Sequence, residues 1–119
     1  MNNQNLQVAN NWLKAFNEHN LEALLSLYNE QAEHYSPKLK VRLPETQGLI
    51  KGKTALRAWW LDAFERLPSL QYISQTLTAN NERVFMEYVR KVKGEDDTKV
   101  AEVLEIKNGL IIYSRVYHG

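Results

Sequence analysis

His34 and Ser36 are the side chains of this sequence whose types and spacing most directly suggest chemistry. They are two positions apart just before Pro37, so a β-strand would place both on one face. A histidine whose pKa is near its ordinary value of about 6.5 serves well as a general acid or base. His34 therefore has two interpretations, a proton-transfer residue or a half-buried histidine bonded to a neighbouring carbonyl. His118 also has two, a member of the same site or a frayed, solvated strand end.

Large apolar side chains supply a second candidate feature, an aromatic box for a planar ligand. Its members would be Trp12, Trp60, Phe64, Met86 and Tyr88. Side chains at helical or strand spacing more often form the core of a domain, so ordinary packing is the alternative interpretation of these residues.

Composition excludes several other kinds of site. The chain of 119 residues contains no Cys, which excludes disulfides, a thiolate nucleophile and thiolate metal ligands. Lys and Arg number 15 against 14 Asp and Glu, without a basic cluster, so nucleic acid is not a predicted partner. The 3 histidines lack metal-ligand spacing, and neither a metal nor another cofactor is predicted. With neither an apolar leader nor a long apolar segment, the chain is predicted to be cytoplasmic, with no membrane partner.

The elements that would position these residues follow from the spacing of apolar side chains. Three- and four-residue steps predict helices over 6–17 and 20–28, with Asn20 as the cap of the second, and over 54–67, with Thr54 as the cap. A short strand is predicted at 32–36 and a long loop at 38–52, of the kind that often forms a lid or rim. Four strands follow, at 70–78, 83–93, 99–107 and 110–118. The prediction is one α+β domain over residues 1–119, with the order helix, helix, strand, helix and four-stranded meander.

Asn108-Gly109 is the strongest turn signal, because a two-residue type I′ turn needs positive φ at both positions. Counting back from this turn puts Glu105 on one face of the sheet and Glu102 on the other, opposite Arg115. Both faces are then substantially apolar, and three helices can cover only one of them. The second face is predicted to pair with another copy of the chain as a homodimer.

Two segments carry a resemblance to a known superfamily. NLEALLSLYNEQAEHYSP resembles the second helix and first strand of the cone-shaped fold shared by nuclear transport factor 2, ketosteroid isomerase and the SnoaL-like polyketide cyclases, and IKGKTALRAWW resembles its glycine-led third helix. Nearly the whole chain follows the same order of elements, although neither segment is a catalytic motif. The resemblance implies three helices on a curved, mostly antiparallel sheet that encloses an apolar pocket, with dimerisation through the outer sheet face.

The resemblance also implies which face of the sheet is the inner one. The implied pocket residues are Trp12, Phe16, Tyr28, His34, Ser36, Trp60, Phe64, Met86, Tyr88, Arg90, Ser114 and His118. Glu105 would lie on the same face as Arg90, which is suited to anchor a carboxylate or an enolate, although both could instead extend into solvent from strand ends.

The implied alignment departs from the superfamily at its reactive positions. The general base of ketosteroid isomerase aligns with Ser36, and its proton-donating aspartate aligns with Ala101. A serine does not shuttle a carbon-bound proton at neutral pH, and an alanine donates nothing. SnoaL-like cyclases depend on an acidic residue in the last strand, where the nearest inward position is Val116. The known mechanisms of the superfamily therefore do not transfer.

The leading functional prediction is an enzyme that isomerises, cyclises, dehydrates or hydrolyses an apolar or aromatic small molecule. His34 and Tyr28 would relay protons in its pocket. One alternative is a ligand-binding or sensing module without chemistry, which the missing aspartates favour. Another is a dimeric interaction scaffold. An open cavity with convergent polar groups would favour the first two, and a filled cavity would favour the third.

Overall fold

A computed structural model describes the chain from residue 2 to residue 118. The helices are α1 (Asn2–Asn17), α2 (Leu21–Ser26), α3 (Pro37–Arg42) and α4 (Lys53–Arg66), with a 3₁₀ turn at Pro44–Thr46. The strands are β1 (Tyr28–Tyr35), β2 (Leu49–Lys51), β3 (Gln71–Ala79), β4 (Arg83–Lys91), β5 (Thr98–Lys107) and β6 (Leu110–His118). The α+β class and the four-stranded meander are confirmed. Within the described residues, none of the helices combines the length and apolar character needed to cross a membrane.

The six strands form one sheet in the order β2-β1-β6-β5-β4-β3. Strands β1 and β6 pair in parallel, and every other pair is antiparallel. Helix α1 packs against β3 and β4, while α4 packs against β1 and β2. Both helices cover the same face of the sheet, so the hydrophobic core lies between that face and the helices.

The N-terminal half departs from the sequence prediction in three places. Tyr28 belongs to β1 and not to the second helix, although Asn20 does cap α2 by accepting a hydrogen bond from the backbone N–H of Ala23. The N-cap of α4 is Gly52 and not Thr54. The segment 38–52, predicted as a loop, contains α3, the 3₁₀ turn and β2.

Helix α3 begins where it does for a local reason. The hydroxyl of Ser36 accepts a hydrogen bond from the backbone N–H of Lys38, which is the usual function of an N-cap side chain. Pro37 follows at the first helical position, where its fixed φ suits a helix and its missing N–H costs nothing. This pair of signals was present in the sequence, and the loop prediction overlooked it.

The strand register was predicted correctly only next to the turn. Asn108 and Gly109 have φ of 53° and 78°, and Ile106 pairs with Ile111 as expected. Beyond that pair the register shifts, because Ile112 has no partner and Glu105 pairs with Tyr113. A residue inserted in one strand forms a β-bulge. Beyond the bulge, each residue of β5 pairs with a residue of β6 one position further along than the count from the turn gives, so the count assigns it to the wrong face.

The shifted register exchanges the positions of two glutamates. Glu102 pairs with Met86 and with Val116, and it is 1% exposed on the inner face. Glu105 faces outward and forms an ion pair with Arg115 at 2.7 Å. The predictions that Glu105 faces inward and that Glu102 pairs with Arg115 on the outer face are therefore wrong.

The outer face of the meander carries apolar side chains that lie open to solvent. Ile73, Phe85 and Tyr117 are each exposed by 40% or more. The homodimer stays a prediction, and it rests on this face. We expect sedimentation equilibrium to give a dimer for the wild-type chain and a monomer for Phe85→Lys, because a buried lysine without a partner disfavours an interface. A folded wild-type monomer at micromolar concentration would contradict it.

Candidate functional site

The curved sheet, α1, α3 and α4 enclose a cavity of about 490 Å³ that opens on one side. That volume is within the range of small-molecule sites. Eight of the twelve residues named from the sequence lie on its wall: Trp12, Phe16, His34, Ser36, Trp60, Tyr88, Arg90 and His118. The other four, Tyr28, Phe64, Met86 and Ser114, are buried beside the cavity without lining it.

Inner-face register positions order the cavity by depth. From the closed end outward they hold His34 with Ser114, then Glu102 with Val116, then Tyr88 with His118, and last Arg90. Ser114 at the closed end is fully buried, whereas His118 near the mouth is exposed. The cavity therefore has a polar closed end and a charged mouth.

Aromatic rings form the wall between these two ends. The ring of Tyr72 stacks on Phe16 and on Tyr88, with centroid distances of 4.0 Å in each case. Trp12 lies 5.2 Å from Phe16 and 5.9 Å from Tyr72, nearly parallel to both. Stacked rings of this kind offer a flat apolar surface to a planar ligand. Tyr72 was not predicted as a pocket residue.

A chain of hydrogen bonds leads to His34 from the interior. The indole N–H of Trp12 donates to the hydroxyl of Tyr28 at 3.0 Å, and that hydroxyl donates to Ser114 Oγ at 3.0 Å. Ser114 Oγ lies 2.6 Å from Nδ1 of His34. An indole nitrogen only donates, whereas a serine hydroxyl can donate or accept, so the tautomer of His34 decides the direction of the last bond. In one of the two neutral tautomers the serine proton is directed to Nδ1. His34 then carries its own proton on Nε2.

Burial lowers the pKa of His34 to about 3, against a smaller opposing contribution from a hydrogen bond with the backbone of Ser114. The imidazole is therefore neutral at pH 7. Among the described residues, Nε2 has no hydrogen-bond partner, and His34 lies on the cavity wall, 5.2 Å from the ring of Trp60. A neutral imidazole in this setting is suited to donate a hydrogen bond to a ligand and is a weak base. Tyr28 is locked in the chain, and burial raises its pKa far above the ordinary value.

Glu102 is the residue of the site that the sequence analysis missed. Its Oε1 accepts a hydrogen bond from the hydroxyl of Tyr88 at 2.7 Å. Its Oε2 is buried without a hydrogen-bond partner in the described part of the chain. Burial raises the pKa of Glu102 to about 8, although the bond from Tyr88 lowers it somewhat. At pH 7 this side chain is mainly a neutral carboxylic acid, which can donate a hydrogen bond.

One sequence signal could have identified Glu102. Every second residue of β5 from Val100 to Ile106 lies on the same face of the strand. The apolar members of this series, Val100, Leu104 and Ile106, are all buried. An acidic residue within such a series faces the core by periodicity alone. The count from the turn overrode this signal, because it assumed that β6 had no bulge. The alignment of the isomerase's proton donor with Ala101 is therefore one position off the inner face.

The mouth of the cavity is charged. Arg90 is only 7% exposed, and its Nη1 donates to Oε1 of Glu95 at 2.9 Å. Lys38, at the start of α3, lies near enough that Arg90 contributes to lowering its pKa, after burial. The pKa of His118 is lowered by burial first and then by Lys38 and Arg90. Arg90 is thus surrounded by basic side chains and pairs with one half-exposed glutamate.

These features agree with the comparisons with known proteins. Residues 9–114 match the sequence model of the SnoaL-like domain. The chain belongs to the SnoaL-like family. A SnoaL-like protein of unknown function from Burkholderia thailandensis has a similar structure, with a TM-score of 0.89 and 24% identity over 100% of this chain and 97% of that one.

Two more distant structures share the fold of this SnoaL-like chain. A Kribbella flavida protein provisionally described as a ketosteroid isomerase superposes with a TM-score of 0.79 at 17% identity, over 99% of this chain and 79% of that one. A Sinorhizobium meliloti protein provisionally described as a polyketide cyclase gives 0.79 at 14%, over 93% and 94%. No curated protein matches the sequence. At these identities the likeness establishes the cone-shaped fold, and the chemistry has to be argued from the site.

Proposed function

We propose that this SnoaL-like protein is an enzyme that binds an apolar or aromatic carbonyl compound and stabilises negative charge on its oxygen. The observation that carries the proposal is Glu102, a buried and mainly protonated acid on the cavity wall with one unpartnered oxygen. A buried polar atom without a partner costs free energy, and a ligand oxygen would remove that cost.

The mechanism follows from the two neutral donors at the closed end. When a carbonyl compound loses a proton from the adjacent carbon to a water molecule that enters the open cavity, negative charge develops on its oxygen. Hydrogen bonds from Glu102 and from Nε2 of His34 would stabilise that charge, and donors fixed in a buried site are more effective than water. Isomerisation, cyclisation and dehydration of carbonyl compounds all proceed through such enolates. In each of these reactions the protein would bind the substrate in the cavity and donate hydrogen bonds from Glu102 and His34 to its oxygen.

Ser36 favours a second candidate function, ligand binding without turnover. Its hydroxyl accepts the hydrogen bond that begins α3, so it serves the backbone at the position where the isomerase has its base. A protein with hydrogen-bond donors and no base would hold a carbonyl ligand without enolising it. The open cavity supports both candidates over a scaffold role.

A panel of aryl alkyl ketones tests the proposal. The ketones are incubated with the protein in deuterated buffer, and NMR follows exchange of the protons next to the carbonyl. We expect exchange above the buffer rate with the wild-type chain and loss of it with Glu102→Leu, because the leucine cannot donate. Glu105→Leu is the matched control on the outer face of the same strand. Saturable binding without exchange would favour the ligand-binding function, and neither binding nor exchange would contradict both.

A further inference from the structure

The mouth of the cavity contains a cation that the protein itself only partly satisfies. Arg90 is buried, yet among the described residues its guanidinium makes a single side-chain hydrogen bond, to Glu95. A guanidinium has five N–H donors in a planar fork. Arg90 itself lines the cavity, and its remaining donors have no side-chain acceptor among the described residues. A buried cation of this kind is commonly completed by a ligand oxygen.

The surrounding charges are mainly positive. Lys38, Arg42 and Arg66 also line the cavity. Arg42 and Arg66 share one carboxylate, Asp62, at 3.8 Å and 2.7 Å. In the described part of the chain, four basic side chains at the mouth therefore face two carboxylates, those of Asp62 and Glu95. The opening has an excess of positive charge, which attracts an anion.

Glu95 indicates which anion fits. It belongs to the connection between β4 and β5, its side chain is 49% exposed, and it places a carboxylate 2.9 Å from Arg90. A carboxylate is thus already accommodated at this position, on a segment that solvent reaches. Because the Glu95 side chain is half-exposed, it can turn into solvent, and a ligand carboxylate with more buried contacts can replace it at Arg90.

We propose that the ligand of this cavity is an amphipathic carboxylic acid, whose carboxylate binds Arg90 and Lys38 at the mouth and whose aromatic body lies against Tyr72 and Tyr88. The inference rests on the proposed function for the other end of the ligand, where a carbonyl oxygen meets Glu102 and His34. Arg90 lies four residues along β4 from Met86, the partner of Glu102. That separation is roughly 13 Å along the strand, and side chains at both ends shorten it to the length of one or two aromatic rings.

Four matched probes test the proposal by isothermal titration calorimetry: acetylnaphthoic acid, its primary amide, acetylnaphthalene and naphthoic acid. We expect wild-type protein to bind the acid at least about tenfold more tightly than the amide. Arg90→Met should abolish this preference, and Glu95→Gln should increase it, because the internal competitor for Arg90 is removed. Lys14→Met, which removes a charge from the exposed side of α1, should leave the preference unchanged.

Equal affinity for the acid and the amide would overturn the inference, as would an undiminished preference in Arg90→Met. Glu95 is exposed, so Glu95→Gln provides a test even where Arg90→Met does not fold, and weaker binding of the acid by that variant would also contradict the proposal. Glu102→Leu separates this inference from the proposed function. If the preference for the acid persists while Glu102→Leu binds acetylnaphthoic acid and naphthoic acid as the wild type does, the mouth assignment stands and the carbonyl assignment fails. If Glu102→Leu instead loses the extra affinity that the acetyl group gives, and the wild type does not prefer the acid to the amide, the carbonyl assignment stands and the mouth assignment fails.

Discussion

Glutamine in place of Glu102 is expected to raise the free energy of unfolding at pH 8 and above, with little effect at pH 4. The pKa of this carboxyl is raised from 4.5 to about 8 in the folded protein. Below 4.5 both folded and unfolded chains hold the proton, so folding carries no penalty. As the pH rises from 4.5 to 8, the unfolded chain ionises while the folded chain stays protonated, and stability is lost. At about 1.4 kcal/mol for each pKa unit, the loss is on the order of 5 kcal/mol.

Urea denaturation of wild type and Glu102→Gln across this pH range measures the effect. Glu105→Gln is the control, since Glu105 lies on the outer face and is paired with Arg115. The curves of the wild type and of Glu105→Gln should be nearly flat from pH 4.5 to 6.5 and fall from pH 6.5 to 8, whereas that of Glu102→Gln should not fall. Equal slopes for all three proteins would show that Glu102 ionises normally in the folded state.

His34 has the opposite effect on stability. Its pKa is lowered from 6.5 to about 3, so stability is complete above 6.5 and is lost as the pH falls towards 3. Between pH 4.5 and 6.5 the effects of Glu102 and His34 on the pH dependence of the free energy of unfolding nearly cancel, because unfolding releases a proton at one group and binds one at the other. Together, the two groups contribute most to stability in that interval, at a lower pH than the neutral range in which many proteins are most stable.

The second large effect concerns the exchange reaction. His34→Ala is expected to reduce the rate of enolate-dependent exchange by about a hundredfold, the usual cost of removing one fixed donor to a developing oxyanion. Ser114→Ala should have a smaller effect, because His34 remains and only its preferred tautomer is lost. The readout is the NMR exchange rate at saturating ketone, which separates turnover from binding.

His19→Ala is the control for this experiment. His19 stacks on Phe64 and bonds to the carbonyl of Leu70, outside the cavity lining. Its removal should affect stability and leave the exchange rate of folded protein unchanged. An undiminished rate in His34→Ala would remove His34 from the mechanism.

Much of the fold was predictable, because its signals are local. Asn20 caps α2, and Asn108-Gly109 forms the expected turn. The order of helices and strands carried the superfamily resemblance, and the family match confirms it. Strand parity placed His34 on the same face as Ser36, and the superfamily resemblance placed Arg90 on the inner face.

Glu102 could not be placed by the same count, because register is not local. The bulge at Ile112 has no residue signature such as Gly or Pro, and it shifts every later pair of β5 and β6. The connection between β4 and β5 spans 92–97, longer than the predicted turn at 94–97. One unpaired residue therefore moved the acid of the site from the cavity to the outer face of the predicted sheet. The sequence prediction of a pocket without an acidic residue in β5 was a consequence of that shift.

Carbon NMR of the Glu102 side-chain carboxyl measures whether this residue is a protonated acid in the cavity. Glutamate is labelled at the carboxyl carbon, and the signal absent from Glu102→Gln is assigned to this residue. The structure predicts that this signal titrates near pH 8, well above the exposed glutamates. A titration near the ordinary value of 4.5 would contradict the account of the site.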